Sequence, residues 1–343
     1  MPKFLSLLAL LLFLVSAKAQ SIRLLSTGNK TSMRGLSVVT DRIVWASGSN
    51  GKVARSTDAG LHWEWITVPG FEKRDFRDIE AFSDQEAVIM AVDEPGVILR
   101  TEDGGRSWKT VFSDTSKGMF LDAMYFAPNG HAVVVGDPLP DRPNEIYTAF
   151  SYNKGKTWVH PMDAGKYLPA VASGESMFAS SGTNLVLFPG KGTYTKFNFI
   201  VVTGGMASGL LQSSPQQRIP LALQQGKQST GANSIAAFDK NNWIVVGGDF
   251  MNDKDSSLNC VLTRDGGRSF LRPNLPPMGY RSCVTYLSKN KLIACGTSGI
   301  DVSEDGGMHW KRISTESFHV VQKAKKGNAV FLAGNGRIAQ LEW

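Results

Sequence analysis

Residues Gly96 to Val111 read GVILRTEDGGRSWKTV, and the centre of this segment looks at first like a catalytic or metal-binding loop. Asp103 lies among glycines, and Trp108 follows shortly after it. The same eight-residue pattern, Ser/Thr-x-Asp-x-Gly-x-x-Trp, recurs along the chain, complete in three copies and altered in two. The copies occupy residues 56–63, 101–108, 151–158, 263–270 and 303–310. Five copies of one pattern indicate a repeated structural unit rather than a single reaction centre.

The spacing of these copies predicts the architecture. Asp58 and Asp103 are 45 residues apart, Asp103 and Asn153 are 50 apart, and Asp265 and Asp305 are 40 apart. A repeat of about 40–50 residues that is rich in short strands is typical of a β-propeller blade. The gap of 112 residues between Asn153 and Asp265 has room for two blades, one of them without the pattern.

Each repeat divides into four short strands separated by turn signals. In the first repeat we expect strands at Leu36–Val39, Ile43–Gly48, Lys52–Ser56 and Trp63–Val68. Further repeats are expected at Asp75–Ser113, Met119–Met162, Glu175–Leu223, Gly231–Leu275, Tyr280–Ser314 and Phe318–Trp343. The last has only three strands, and Ser21–Ser26 is predicted to supply its outer strand. The sequence thus predicts an all-β chain with a single seven-bladed β-propeller over residues 20–343, built of four-stranded antiparallel blades in a ring closed by an N-terminal strand.

The residue types within the eight-residue pattern suit a structural turn. An Asp side chain can accept hydrogen bonds from nearby backbone N–H groups, glycine permits backbone conformations that other residues disfavour, and the closing aromatic residue can bury a large apolar surface. The altered copies, with Asn or Phe, retain these abilities but could not retain an acid catalyst or a metal ligand. We therefore assign structural roles to Asp58, Trp63, Asp103, Trp108, Asn153, Trp158, Asp265, Phe270, Asp305 and Trp310.

This pattern is identified as the Asp-box, or BNR, repeat of sialidases, sortilin-type receptors, some glycoside hydrolases and photosystem II stability/assembly factor-like proteins. The chain resembles the last family most, through segments Met33–Val39, Trp45–Gly48, Phe76–Phe82 and Tyr280–Ser282. The resemblance implies a seven-bladed assembly chaperone, although relatives also occur in bacteria without photosynthesis. Some relatives carry an oxidoreductase label, but the chain has no GxGxxG motif opening a helix and no haem or cysteine motif, so we expect no cofactor.

The N-terminal segment predicts export. A short basic start, an apolar run from Phe4 to Val15 and an Ala-x-Ala site ending at Ala19 are typical of a secretory signal peptide at residues 1–19. The apolar run is too short to span a membrane, which takes about 20 residues. We expect a mature chain that is periplasmic or extracellular, monomeric and without a membrane span.

The net charge and the cysteine content limit which kinds of partner and which disulfide bonds are expected. The net charge of +7 falls to +5 when Lys3 and Lys18 are removed with the signal peptide. The densest basic cluster is Lys323, Lys325 and Lys326, which we interpret as a solvated face; without a recognition motif, we expect no nucleic-acid partner. Of the three cysteines, Cys283 and Cys295 flank a hairpin turn, so a cross-strand disulfide and buried free thiols both remain open.

Candidate ligand-binding residues lie at the predicted channel face, opposite the Asp-box turns. Aligning inner strands by aromatic residues puts Asp78, Asp122, Ser234 and Ser282 at one level, with basic residues just before several of them. Guanidinium groups bind carboxylates and phosphates through paired hydrogen bonds, so an anionic ligand, a glycan or a protein partner fits this face. The alternative is a ring of structural salt bridges. The candidates are Arg34, Arg77, Asp78, Asp122, Asp137, Glu175, Asp249 and Arg281.

Two of these candidates belong to long loops after a second strand, Gly136–Arg142 and Gly248–Asp253. Long ordered loops on a rigid scaffold often carry binding residues, although simple length variation explains them equally well. Asp253 and Asp255 lack EF-hand spacing, so we expect no metal site.

A second interpretation is a sialidase-like glycoside hydrolase acting on acidic glycans at the same face. In it Arg34, Arg77 and Arg281 would clamp a carboxylate, and the catalytic acids would come from Asp78, Asp122 and Glu175. Glycoside hydrolysis requires two placed carboxylates, whose separation the sequence does not give. Arg218-Ile219-Pro220 matches a sialidase motif, but it lies mid-chain rather than near the N-terminus. We therefore expect a binding or assembly scaffold rather than an enzyme.

Overall fold

The computed structural model describes residues 20–160, 167–188 and 198–342, which form 25 strands and no helix. The predicted all-β class is confirmed for these residues. The predicted signal peptide at residues 1–19 lies outside them.

The strands follow one another in short antiparallel runs. They are β1 (Ser21–Val38), β2 (Val44–Gly48), β3 (Lys52–Ser56), β4 (Glu64–Thr67), β5 (Phe76–Ala81), β6 (Ala87–Ala91), β7 (Gly96–Thr101), β8 (Lys109–Asp114), β9 (Leu121–Phe126), β10 (Ala132–Gly136), β11 (Tyr147–Ser151), β12 (Glu175–Ser176), β13 (Leu185–Phe188), β14 (Asn198–Gly205), β15 (Gly209–Ser213), β16 (Gln216–Pro220), β17 (Thr230–Ala237), β18 (Trp243–Asp249), β19 (Cys260–Thr263), β20 (Cys283–Tyr286), β21 (Leu292–Gly296), β22 (Gly299–Ser303), β23 (Lys311–Ser314), β24 (Val320–Lys323) and β25 (Val330–Glu342).

The strands pair mostly with their neighbours in the sequence. Strands β5 to β8 form one four-stranded sheet and β20 to β23 another, each in chain order. The order β13-β14-β15-β16 builds a further four-stranded unit, which a single pair between β14 and β17 joins to the sheet of β17, β18 and β19. Such local antiparallel meanders are what a propeller blade requires.

Strand β1 takes part in two sets of pairs. Its beginning, Ser21–Thr27, pairs with β25 at the other end of the chain, and its end, Met33–Val38, pairs with β2. The segment predicted as the outer strand of the last repeat therefore lies beside β25.

The two altered Asp-box copies precede shortened outer strands. After the complete copies the chain forms β4, β8 and β23. After the copy with Asn153, pairing in the described residues is a single bridge between Phe150 and Val159. After the copy with Phe270, it is a single bridge between Leu262 and Leu271.

The five Asp-box turns share one hydrogen-bond pattern. In the second copy, Asp103 Oδ1 accepts hydrogen bonds from Thr101 Oγ1 and Ser107 N, both at 2.9 Å, and Gly105 N donates to Thr101 Oγ1 at 2.9 Å. Equivalent residues form the same three bonds in the other four copies. The bonds from the Ser107 hydroxyl and amide lower the pKa of Asp103 to about 2. This carboxylate therefore fastens a turn.

The core lies between neighbouring sheets, and the Asp-box residues help to fill it. Gly105 has φ of +90°, and an added Cβ there would lie 2.6 Å from Ile66 Cδ1 on the preceding sheet. Trp108 packs against a buried cluster that contains Trp45 from that sheet and Leu99 from its own. The fifth residue of the pattern is glycine because its backbone conformation and the close approach both exclude a side chain.

A cavity of about 710 Å³ lies at the centre of the molecule. It is lined by seven segments of chain, mainly the inner strand of each sheet unit and the residues just after it. The lining residues fall within 36–39, 78–82, 124–130, 181–186, 235–237, 284–286 and 322–326, and Lys154 adds to them.

The three cysteines, Cys260, Cys283 and Cys295, are buried free thiols. Cys283 and Cys295 are direct cross-strand partners in β20 and β21, as the hairpin prediction requires. The Cys283 thiol donates to the Val321 carbonyl at 3.4 Å. Of the two alternatives left open by the sequence, the structure has the free thiols.

Candidate functional site

Four of the inner strands share a β-bulge. The pairing of β1 with β2 skips Arg34, that of β5 with β6 skips Arg77, and that of β9 with β10 skips Asp122. The pairing of β17 with β18 skips Asn233 in the same way. A bulge leaves one residue outside the ladder and re-aims its side chain, so four sheets present a polar residue at an equivalent position.

This register corrects the alignment made from the sequence. Asp78 was placed level with Asp122, but Asp122 is equivalent to Arg77, and Asp78 is one residue further along. The error came from the aromatic anchors, because Phe126 is the last residue of β9 whereas Phe82 lies one residue beyond the end of β5.

Arg34 and Arg77 lie close to each other. The Arg34 guanidinium donates to the Ser180 carbonyl at 3.3 Å, and burial and then the positive charge of Arg77 lower its pKa. Arg77 Nε is 2.8 Å from Asp75 Oδ2, and its guanidinium lies over the Phe120 ring. Arg34 has no carboxylate within salt-bridge distance among the described residues, so an added anion would relieve the repulsion between the two cations.

Asp122 and Asp137 form an acidic pair beside Arg77. Asp122 is fully buried, and burial and then the charge of Asp137 raise its pKa well above the usual range. Arg77 and the backbone amides of Asp137 and Ala179 offset this rise only in part, and no group reaches hydrogen-bond geometry with either Asp122 oxygen in the described structure. Burial raises the pKa of Asp137 to about 6, and its Oδ1 accepts a bond from Met177 N at 2.8 Å.

Asn233, Tyr280 and His319 complete this end of the channel. The Asn233 Oδ1 accepts hydrogen bonds from Tyr280 and Ser180 hydroxyls, both at 2.8 Å. Burial and then the charges of Arg34 and Arg77 lower the pKa of His319 to about 3. Sequence reasoning missed Asn233 because its equivalence to Arg34 depends on the bulge register. We call the group Arg34, Arg77, Asp122, Asn233 and His319 the arginine end.

Asp78 joins two strands at the inner limit of the central cavity. It is buried, and its two oxygens accept hydrogen bonds from Ile79 N at 2.8 Å and Met124 N at 2.7 Å. Burial nevertheless raises the pKa of this carboxyl well above its usual range. Asp78 therefore ties β5 to β9.

Glu175 is an internal salt-bridge residue. Its Oε2 is 2.9 Å from Arg218 Nε and accepts a bond from Ala172 N at 2.7 Å, while Thr203 donates to its other oxygen. The fourth expected repeat begins at Glu175, where β12 pairs with the far end of β14, and β13 is the strand of this unit that lines the cavity. The Arg218 of the sialidase-like motif is the partner in this salt bridge.

Arg281 does not join Arg34 and Arg77, which corrects the prediction that grouped the three. Its side chain is 0% exposed, and its guanidinium pairs with Asp301, which is also 0% exposed. The remaining N–H groups donate to the Tyr280 and Met278 carbonyls and to Ser298. A fully engaged, buried guanidinium is unavailable to a ligand.

The long loops add an apolar rim. Asp249 is buried, accepts a bond from Met251 N at 2.9 Å and lies 3.5 Å from Lys227 Nζ, so it fastens its loop. The Phe250 ring packs edge-on against Phe178 and Tyr280, with centroids 5.7 and 6.3 Å apart. Met251 beside it is 78% exposed. Exposed apolar side chains bordering charged groups are typical of a protein-binding surface.

The described residues do not assemble the hydrolase centre. Asp78 is bonded to backbone amides, Glu175 is paired with Arg218, and Arg281 is absent from the clamp. Asp122 alone of the three candidate acids lacks a hydrogen-bonding partner in the part of the chain that the structure covers. Over the same residues, no group of three or more His, Cys, Asp or Glu side chains could hold a metal ion.

Comparison with known proteins gives one sequence match and several fold matches. No family model matches the chain. The photosystem II assembly lipoprotein Ycf48 of Synechococcus sp. (strain CC9902) is 33% identical over 69 residues, which is 20% of each protein. The match therefore spans about a fifth of the length of that relative.

The solved structures extend the likeness to the fold of nearly the whole chain. A structure of YCF48 bound to D1 peptide matches with TM-score 0.62 at 16% identity, covering 95% of this chain and 96% of that one. YCF48 from Cyanidioschyzon merolae matches with TM-score 0.62 at 18% identity, covering 94% and 99%. The WD40 propeller domain of Doa1 matches with TM-score 0.59 at 12% identity, covering 94% and 97%.

No helix in the described residues is long and apolar enough to cross a membrane. The family resemblance predicted from the Asp-box repeats together with the segments at Met33–Val39, Trp45–Gly48, Phe76–Phe82 and Tyr280–Ser282 is thus supported, and this all-β chain is similar to the Ycf48 photosystem II assembly factors in propeller fold over nearly its full length and in sequence over a fifth of it.

Proposed function

We propose that this chain is an exported, seven-bladed propeller scaffold that binds an anionic segment of a protein partner at the arginine end. The observation that carries the proposal is the pair Arg34 and Arg77, presented on equivalent bulges of two inner strands. Burial and then the charge of Arg77 lower the pKa of Arg34, so this pair gains from a bound anion. A carboxylate of a peptide supplies that anion.

The surroundings suit a peptide better than a small inorganic ion. Phe250, whose ring packs against Tyr280, and the neighbouring Met251 border the arginine end, and both are exposed. Apolar side chains of a partner would bury this rim while its carboxylate meets the guanidinium groups. The related YCF48 structure that contains a D1 peptide supports a peptide as the partner class.

Seven segments around one cavity and the pairing of Ser21–Thr27 with β25 support a ring of seven blades closed by the N-terminal strand. Closure leaves no unpaired edge between the first and last blades, which gives the rigid frame that two fixed guanidinium groups need. Export rests on the signal-peptide pattern at residues 1–19.

The proposal is tested by fluorescence anisotropy with a labelled D1 peptide and a second peptide whose carboxylates are amidated. The double variant Arg34→Ala/Arg77→Ala should weaken binding of the carboxylate form by about 100-fold, because charged hydrogen bonds contribute about 1.5–3 kcal/mol each. The amidated peptide should bind weakly to both proteins.

The matched control is Arg106→Ala, which removes an exposed arginine from an Asp-box turn. It should bind the peptide like the parent chain. Equal affinity of the parent and the Arg34/Arg77 variant for the carboxylate peptide would refute the arginine end as the binding site. Hydrolysis of acidic glycosides by the parent but not by an Asp122→Asn variant would replace the scaffold function with the glycosidase.

A further inference from the structure

The central cavity opens away from the arginine end. Its lining begins at Leu36, Asp78 and Met124, whereas Arg34, Arg77 and Asp122 precede these residues on the same three strands and are not part of the lining. The cavity is therefore formed by the C-terminal parts of the inner strands. Lys154, which belongs to the third Asp-box turn, also lines it, so it faces the side of the molecule that carries that turn.

A layer of hydrogen bonds separates the two ends. Asp78 accepts from Met124 N at 2.7 Å, and an added Cβ at Gly182 would lie 2.4 Å from the Asp78 carboxyl carbon. Ser181, the neighbour of Gly182, donates a hydrogen bond from its Oγ to the Ser282 carbonyl at 2.7 Å. This bond links the segment around Gly182 to the residues just before β20. The layer forms the floor of the cavity.

The mouth of the cavity is positively charged. Lys154, Lys323, Lys325 and Lys326 line it, and we call this group the lysine end. Lys325 Nζ is 2.6 Å from Glu80 Oε1 and also bonds Ser37 Oγ and the Ala81 carbonyl. The other three lysines have no carboxylate within salt-bridge distance in the described part of the chain, so the lysine end carries uncompensated positive charge.

Aromatic side chains form part of the wall below these lysines. Phe82 and Phe126 meet edge to face with centroids 5.3 Å apart, and Tyr125 and Tyr286 are partly buried. Burial and then the nearby Glu80 raise the pKa of Tyr125, so its hydroxyl stays protonated and can donate. An apolar wall below a ring of ammonium groups matches a ligand that has an apolar part and a negatively charged part.

We propose that the lysine end binds a small amphipathic anion, with its carboxylate, sulfonate or phosphate group among the lysines and its apolar or aromatic body inside the cavity. The volume of about 710 Å³ is within the range of small-molecule sites, which is about 300–1,000 Å³. This site is separate from the peptide site of the proposed function, because the hydrogen-bonded floor lies between them.

A matched pair of fluorescent probes tests this site. Anilinonaphthalene sulfonate has an aromatic body with a negative charge, and N-phenyl-1-naphthylamine has a similar body without one. The parent protein should bind one sulfonate probe per chain. Lys154→Gln/Lys326→Gln should weaken sulfonate binding about five- to ten-fold and leave binding of the neutral probe within about two-fold, since each solvent-exposed charge contributes modestly.

Two further variants make the test specific. Glu80→Gln should strengthen sulfonate binding, because it releases Lys325 from its carboxylate partner. Lys109→Gln, which removes an exposed lysine from β8 outside the cavity, should leave both probes unchanged. All variants should keep the parent's thermal unfolding midpoint, which excludes loss of folding as the cause.

The proposal is overturned if the parent does not bind the sulfonate probe, or if Lys154→Gln/Lys326→Gln binds it as tightly as the parent. It is also overturned if both probes lose affinity equally, since charge would then play no part. The Arg34→Ala/Arg77→Ala variant separates the two sites: it should lose the peptide and keep the sulfonate probe, so failure of either site leaves the other testable.

Discussion

The two ends of the central channel use the same inner strands but place their charges differently. At the arginine end, Arg34 and Arg77 leave the strands at bulges, and neighbouring backbone and side chains fix them. At the lysine end, Lys325 and Lys326 follow the end of β24 and are exposed. Fixed guanidinium groups favour directional recognition of one carboxylate, whereas long exposed lysines favour any small anion that the cavity admits.

The largest expected effect concerns the arginine that belongs to neither end. Arg281→Met should lower the free energy of unfolding by about 3–5 kcal/mol, because it removes the buried cation that pairs with Asp301 and leaves only Arg312, 3.8 Å from the other carboxylate oxygen. Urea denaturation measures the loss. Replacing both partners, as Arg281→Met/Asp301→Leu, should recover much of it. If Arg281→Met alone is as stable as the parent, Arg281 has no structural role and returns to the set of ligand candidates.

The next largest effect should come from breaking the floor between the ends. Gly182→Ala places a Cβ 2.4 Å from the Asp78 carboxyl carbon at φ of +66°, so steric overlap adds to backbone strain. We expect a loss of about 3 kcal/mol in the free energy of unfolding. Gly70→Ala is the control, because its φ is +79° but no atom lies within 4 Å of the added Cβ. Equal losses in both variants would show that the floor is not tightly packed.

A smaller effect, specific to the arginine end, should appear in the pH dependence of stability. The pKa of His319 is about 3 in the folded chain, so the unfolded chain binds its proton first as the pH falls below about 6.5. Folding is therefore destabilised by acid, by about 2 kcal/mol between pH 6.5 and 5. The pKa values of Asp78 and Asp122 are raised in the folded chain, so these two carboxyls instead favour folding as the pH falls.

The difference between the parent and His319→Gln isolates this contribution. Urea titrations at pH 7 and pH 5 should show a smaller acid loss in the variant, since glutamine has no proton to bind. The same loss in both proteins would place His319 in solvent, and the arginine end would then be less buried than Arg34 and Arg77 imply.

Sequence reasoning identified the residue types at the arginine end but not their grouping. It named Arg34, Arg77, Asp122 and Asp137, which the structure brings together, and it also named Arg281 and Glu175, which have internal partners. The partners Asp301 and Arg218 could not be inferred, because they lie 20 and 43 residues away on other strands. The lysine cluster was interpreted as a solvated face because nothing in the sequence shows that a cavity lies beneath it.

The amino-acid sequence alone determined the all-β class and the turn of each repeat. The hydrogen bonds of an Asp-box turn, such as those from Thr101 and Ser107 to Asp103, join residues at most four positions apart, so a local pattern is enough to specify them. Tertiary structure alone decided which charges meet. Arg34 bonds to Ser180, 146 residues away, and its position depends on a bulge of one residue in the strand register. Because a shift of one residue turns a side chain to the other face of a strand, only the assembled sheets could place the binding site.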